Sequence, residues 1–118
     1  MKRDEGFHEY IMNDIFISFA GIKSRAMFGG WGIYKNGIIF AIIADGTLYF
    51  KVDESNKDDY LKNKSKPFTY TMPSGKKVSM SYWELPQEIM EDQIELEKWI
   101  AKSIKISQSK KKLKKHKK

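Results

Sequence analysis

The chain contains no cysteine, which excludes disulfides, thiolate nucleophiles and cysteine metal sites outright. Histidine is nearly as scarce. His8 and His116 lie far apart, so a zinc or catalytic centre in the body would have to be assembled from carboxylates around His8 alone. Serines are plentiful but share that one histidine as a base. The carboxylate pairs Asp58-Asp59 and Glu91-Asp92 fall in helical, solvent-facing stretches, not across a cleft where paired acids could act. No GxxxxGK frame for a phosphate loop is present. The chain is therefore read as a protein without enzymatic activity and without a cofactor.

Long apolar runs are also missing. The longest, residues 38–44 (IIFAIIA), falls far short of the roughly 18 residues needed to cross a bilayer. The start MKRDEGFHEY carries charges where a secretory signal would need an apolar segment. A cytoplasmic protein with no membrane partner is expected. A surplus of charge in the body is absent too. Residues 110–118 (KKKLKKHKK) hold 7 of the 22 lysines and arginines, leaving 15 basic against 15 acidic residues in 1–109. The formal charge of +7 thus describes an appendage, and the chain divides into one domain over 1–109 and a lysine-rich tail over 110–118.

What is present is a pattern of alternating secondary structure. Phe7, Ile11, Ile15, Phe19 and Ile22 recur at helical steps and predict an amphipathic helix over about residues 5–20, ended by Gly21. Residues 25–28 and 31–35 read as short strand pieces around Gly29-Gly30. Asn36-Gly37 and Asp45-Gly46 then supply the turns of tight hairpins, giving a meander of three or four strands over 25–52. Its central strand is apolar on both sides, which implies that both sheet faces are at least partly covered. Residues 53–63 suit a short helix or a looped excursion, with Asp53, Ser55 or Asn56 as candidate caps. Phe68, Tyr70 and Met72, then Val78, Met80 and Tyr82, alternate on either side of Pro73-Ser74-Gly75-Lys76 as a second hairpin. A final helix follows Pro86, with Leu96, Trp99 and Ile100 on its broad apolar face. The fold expected is α+β: an antiparallel sheet of about five strands, packed with N- and C-terminal helices in two layers.

Three sets of residues can carry binding. Gly29, Gly30 and Gly32 surround Trp31 directly after Arg25 and Phe28. Glycines so closely spaced mark either a backbone shelf for a ligand or helix end, or a bulge that lets the first strand curl under the first helix. Arg25 would pair with an acid from the last helix or meet an anion. Tyr49 and Lys51 share one sheet face with Tyr34 nearby, an arrangement that grips single-stranded nucleic acid in some modules and elsewhere packs under a helix. Covering that face with the terminal helices would remove such a platform, and Trp83 and Trp99 belong to the core or its rim. Lys110, Lys111, Lys112, Lys114, Lys115, Lys117 and Lys118 can neutralise phosphates without reading bases, or simply keep the terminus solvated.

The ordered string of Arg25, Met27, Phe28, Gly29, Gly30 and Gly32, the Leu48-Tyr49-Phe50-Lys51 strand with Asp53, Phe68 and Tyr70, Met80, Tyr82 and Pro86, and a closing helix with Leu96, Trp99 and Ala101 resembles the N-terminal domain of the TfoX/Sxy family. The likeness covers nearly the whole body. Members are bacterial proteins associated with the regulation of natural competence for DNA uptake. The resemblance implies an α+β domain with no known cofactor, a link to transcriptional control alongside the cyclic-AMP receptor protein, and no catalytic activity. It supplies no established binding residues. Full-length members carry a second, helical C-terminal domain, for which this chain has no room. The reading is a non-enzymatic regulatory protein associated with DNA or with a transcription regulator, its tail giving non-specific phosphate contacts; the alternative is a protein-interaction module with no nucleic-acid role.

Overall fold

The computed structural model describes residues 5–27 and 29–116, with side chains as far as Ser109. Helix α1 (Glu5–Tyr10) runs into a π-helical turn (Ile11–Ile15); strands β1 (Ile22–Met27), β2 (Gly30–Lys35), β3 (Ile38–Ala44) and β4 (Thr47–Lys51) follow. Helix α2 (Lys57–Lys62), the hairpin β5 (Pro67–Thr71) and β6 (Lys77–Glu84), and helices α3 (Gln87–Met90) and α4 (Gln93–His116) complete the chain. The expected α+β class holds, with six strands in the place of about five. The two pieces flanking Gly29-Gly30 are full strands, paired from Ile22 opposite Lys35 to Met27 opposite Gly30.

All pairings are antiparallel, in the order β1-β2-β3-β4-β6-β5. The meander turns are those the sequence announces: Asn36-Gly37 and Asp45-Gly46 both take left-handed φ, at 50° and 83° and at 51° and 67°. After β4 the chain passes through α2 to the far edge, and the second hairpin returns β6 to a place between β4 and β5.

One core lies between this sheet and the helices. Phe40, Phe50, Ile33, Ile43 and Leu48 come up from the sheet to meet Ile11, Phe16, Leu96 and Ile100, all at most 2% exposed. Phe16, Phe40 and Phe50 form an aromatic centre, with centroids 5.4–6.4 Å apart. Tyr60 of α2 meets Trp99 of α4 edge-on at 4.7 Å on the same side. Trp99 is buried and Trp83 sits half-buried at the rim, its ring 5.9 Å from the Lys57 ammonium.

Three local expectations are corrected. The first helix stops about five residues early. The bond from Phe16 N–H to the Ile11 carbonyl (2.9 Å) spans five residues, and the widened turn directs Phe16 into the core while leaving Ile17 70% exposed. The last helix is broken at Glu91-Asp92, where the Asp92 carboxylate accepts from the amides of Ile94 and Glu95 at 3.1 and 3.2 Å and starts α4 afresh. None of Asp53, Ser55 and Asn56 caps α2 with its side chain. Asp53 instead closes a turn on Ser55, and Asn56 bonds back to the Asp53 amide and the Lys51 carbonyl.

Candidate functional site

Register and alternation sort the sheet residues onto two faces. Ala41 opposite Phe50 and Ile43 opposite Leu48 look toward the helices, so Ile42 and its partner Tyr49 look away. Carried across the sheet, the outward row reads Arg25, Gly32, Ile42, Tyr49 and Glu84. The parallel row holds Lys23, Tyr34 and Ile39, then Lys51 and Tyr82. Every helix contributes side chains to the core on the other side. Among the described residues the outward face therefore carries no helix, and the partial cover expected for both faces of the central strand comes on this side from within the sheet. Side chains of the sheet itself shelter Ile39 and Ile42: a Cβ built on Gly32 would lie 3.2 Å from the Tyr34 ring and 3.3 Å from Ile39.

Contacts within the face hold its groups in place. Phe68 of β5 packs on Tyr49 with centroids 5.0 Å apart. The Lys51 ammonium lies 4.8 Å from the centre of the Tyr82 ring and donates to the Ser81 hydroxyl at 2.8 Å. Burial raises the Tyr82 pKa, with Tyr34 adding to the effect. Burial also raises that of Tyr49, opposed by a hydrogen bond from Thr47 and reinforced by Glu84 and Asp45. Both phenols are accordingly neutral at physiological pH.

Arg25 is exposed on this face and makes no ion pair among the described residues, so pairing with the last helix is overturned: strand alternation aims it away from that helix. It sits three strands from Tyr49 and Lys51, about 14 Å at the usual strand spacing, so they do not converge on a common pocket. Gly29 takes φ +78° in the β1–β2 turn. At Gly30 a Cβ would fall on the Ile43 carbonyl oxygen; at Gly32 it would come 2.6 Å from Met27 Sδ. The close approaches the glycines permit are thus made by a neighbouring strand and by three side chains of the outward face, Met27, Tyr34 and Ile39. Phe28, Lys117 and Lys118 lie outside the described residues. Lys110, Lys111, Lys112, Lys114 and Lys115 fall on the backbone of α4, which runs unbroken past Ser109 to His116.

On the helix side, His8 stacks on Trp31 at 4.2 Å and 7° with its Nε2 2.8 Å from the Ser24 hydroxyl, so it is held as a packing element. No three metal-ligating side chains gather among the described residues. An open depression of about 370 Å³ is lined by Asp53, Ser55, Lys102, Lys105, Ile106 and Ser109. Lys102 there is engaged by Asp59 at 2.7 Å. Sequence reasoning missed Phe68 and Tyr82 as members of the outward face because the return of β6 beside β4 leaves no mark in local pattern, and Lys23 because β1 begins at Ile22 and not at Arg25. Among the described residues no helix is long and apolar enough to cross a membrane.

A relative of similar sequence is the protein Sxy of Escherichia coli (strain K12), 23% identical over 87 residues. That alignment takes in 74% of this chain and 41% of the relative, so the chain spans less than half the length of the curated protein it matches. The model of the TfoX N-terminal domain matches residues 14–107, which include all six strands, helices α2 and α3 and the buried part of α4, and the chain belongs to that family.

Proposed function

We propose that the protein is a non-enzymatic regulatory module of the competence type, acting in association with DNA or with a DNA-bound regulator, and that its lysine-rich end supplies sequence-independent phosphate contacts. The observation that carries this reading is the placement of charge. A body with equal numbers of acidic and basic residues is joined through α4 to a terminus holding 7 lysines and no acid. Each lysine that neutralises a phosphate releases counterions and adds to salt dependence while carrying no base code. Family membership supports the regulatory half of the reading. The nearest alternative is a protein-interaction module with no nucleic-acid role.

Fluorescence anisotropy of a labelled DNA duplex, titrated between about 50 and 200 mM salt, separates the two. A tail-mediated binder loses affinity steeply with salt, and removing the residues after Ser109 abolishes most of its binding. Duplex binding unchanged by that truncation would move the contact onto the body. No binding at either salt concentration would leave the protein-interaction module.

A further inference from the structure

We infer that the outward face of the sheet is a binding platform for single-stranded nucleic acid, with Tyr34, Tyr49 and Phe68 offered to bases and Lys23, Arg25 and Lys51 to phosphates. The inference goes beyond the tail reading, since it needs no residue after Ser109. Three observations carry it. Every helix packs its side chains on the opposite face, so among the described residues only neighbours within the sheet cover the rings in part. The face is aromatic yet partly accessible, with Tyr34, Tyr49 and Phe68 all half-buried. Its charge leans positive in a body that is neutral as a whole: Lys23, Arg25 and Lys51 stand against Glu84 and, at the β3–β4 turn, Asp45.

That charge selects the occupant. An apolar partner protein would leave the exposed cations Lys23 and Arg25 desolvated without counter-charge at its margin. A polyanion with flat bases satisfies both halves of the surface, because rings stack on bases regardless of sequence while cations track the backbone. A duplex hides its base faces, so the rings would gain nothing from it. From β1 to β6 the platform is about 19 Å wide, the scale on which sheet-based modules stack two or three bases. The short contacts already present hold the groups in place: Phe68 packs on Tyr49, and the Lys51 ammonium rests over the Tyr82 ring.

The test uses the full chain and a labelled oligothymidylate of about a dozen nucleotides, beside a duplex of equal length. Three variants are compared: Arg25→Glu, Tyr49→Ala, and a full-length chain with the seven terminal lysines changed to Gln. The single strand is expected to bind, to lose roughly tenfold in affinity in each face variant, and to stay bound to the tail variant. The duplex is expected to ignore the face variants. Should Tyr49→Ala unfold, photo-crosslinking of 5-iodouracil oligonucleotide to the unaltered chain gives the same answer: crosslinks on β2, β4 and β5 support the platform, and crosslinks confined to α4 overturn it. Loss of single-strand binding in the tail variant alone overturns the platform and leaves the tail reading standing. Single-strand binding without any duplex binding sinks the tail reading and keeps the platform. A dimer abolished by Arg25→Glu, with no oligonucleotide bound, overturns the platform in favour of a second copy of the chain.

Discussion

Tyr60 shows most plainly how burial acts on a single group in this fold. Its ring is 1% exposed against Trp99, and its hydroxyl approaches Ser103, whose own hydroxyl is given to the Lys51 carbonyl at 2.8 Å. The phenol oxygen therefore makes no well-formed hydrogen bond. Burial drives its pKa far above the tyrosine range, a hydrogen-bonding influence from Ser103 opposing and Asp59 reinforcing the shift. An unfolded tyrosine releases its proton near pH 10, whereas the folded one retains it. Above about pH 10 the native state then binds more protons than the unfolded state, so stability is intact below that pH and declines as pH rises further. Tyr60→Phe removes both the unsatisfied oxygen and this pH dependence. The variant is expected to match or exceed the parent by up to about 1 kcal/mol at neutral pH. Its Tm should also fall less steeply in alkali, Tyr49 and Tyr82 retaining a weaker slope of the same sign. A variant that melts several degrees lower at neutral pH would mean the hydroxyl has a partner that stabilises the fold.

At the level of elements, turn chemistry was legible and helix ends were not. Asn36-Gly37, Asp45-Gly46 and the Gly75 turn each need left-handed backbone, and glycine or a short Asx side chain provides it in each of these three turns. Helix boundaries hide because hydrophobic period runs straight through them. Ile89, Met90, Leu96 and Trp99 keep helical spacing across the break at Glu91-Asp92, and Ile11, Ile15 and Phe19 do so across a π-turn that leaves no period of its own. The cap is the measurable part. Asp92 serves two amides at the start of a helix that carries Leu96, Trp99 and Ile100 into the core, and it is exposed enough for substitution to leave packing untouched. Asp92→Ala is expected to lower unfolding free energy by about 1 kcal/mol in urea denaturation, and Asp92→Asn by much less, since asparagine caps nearly as well. Equal losses would place the effect in the negative charge near the helix N-terminus and not in the cap.

For the molecule as a whole, the sequence reported how much charge there is and the topology decides where it lies. Alternation put Tyr49 and Lys51 on a common face, but whether a helix covers that face depends on the path of the chain between β4 and β5, which no local pattern encodes. The apolar central strand pointed to two faces at least partly covered, and on the open face that cover comes from Tyr34 and Tyr49 within the sheet, not from a helix. Neutrality of the body is likewise a sum and not a distribution, with cations on the open face balanced by acids elsewhere, such as Glu95, Glu97 and Asp59. The sum itself makes a prediction independent of any ligand. Residues 110–118 account for the whole formal charge of +7, so the intact chain should bind a cation exchanger at pH 7, consistent with its isoelectric point near 9.5. A chain ending at Ser109 should pass through and be least soluble close to neutral pH, where its net charge vanishes. If the shortened chain still bound the exchanger firmly, the uneven body would be the source of retention: Lys23, Arg25 and Lys51 would be acting as a cationic face despite the neutral total, and Arg25→Glu in the shortened chain would then release it.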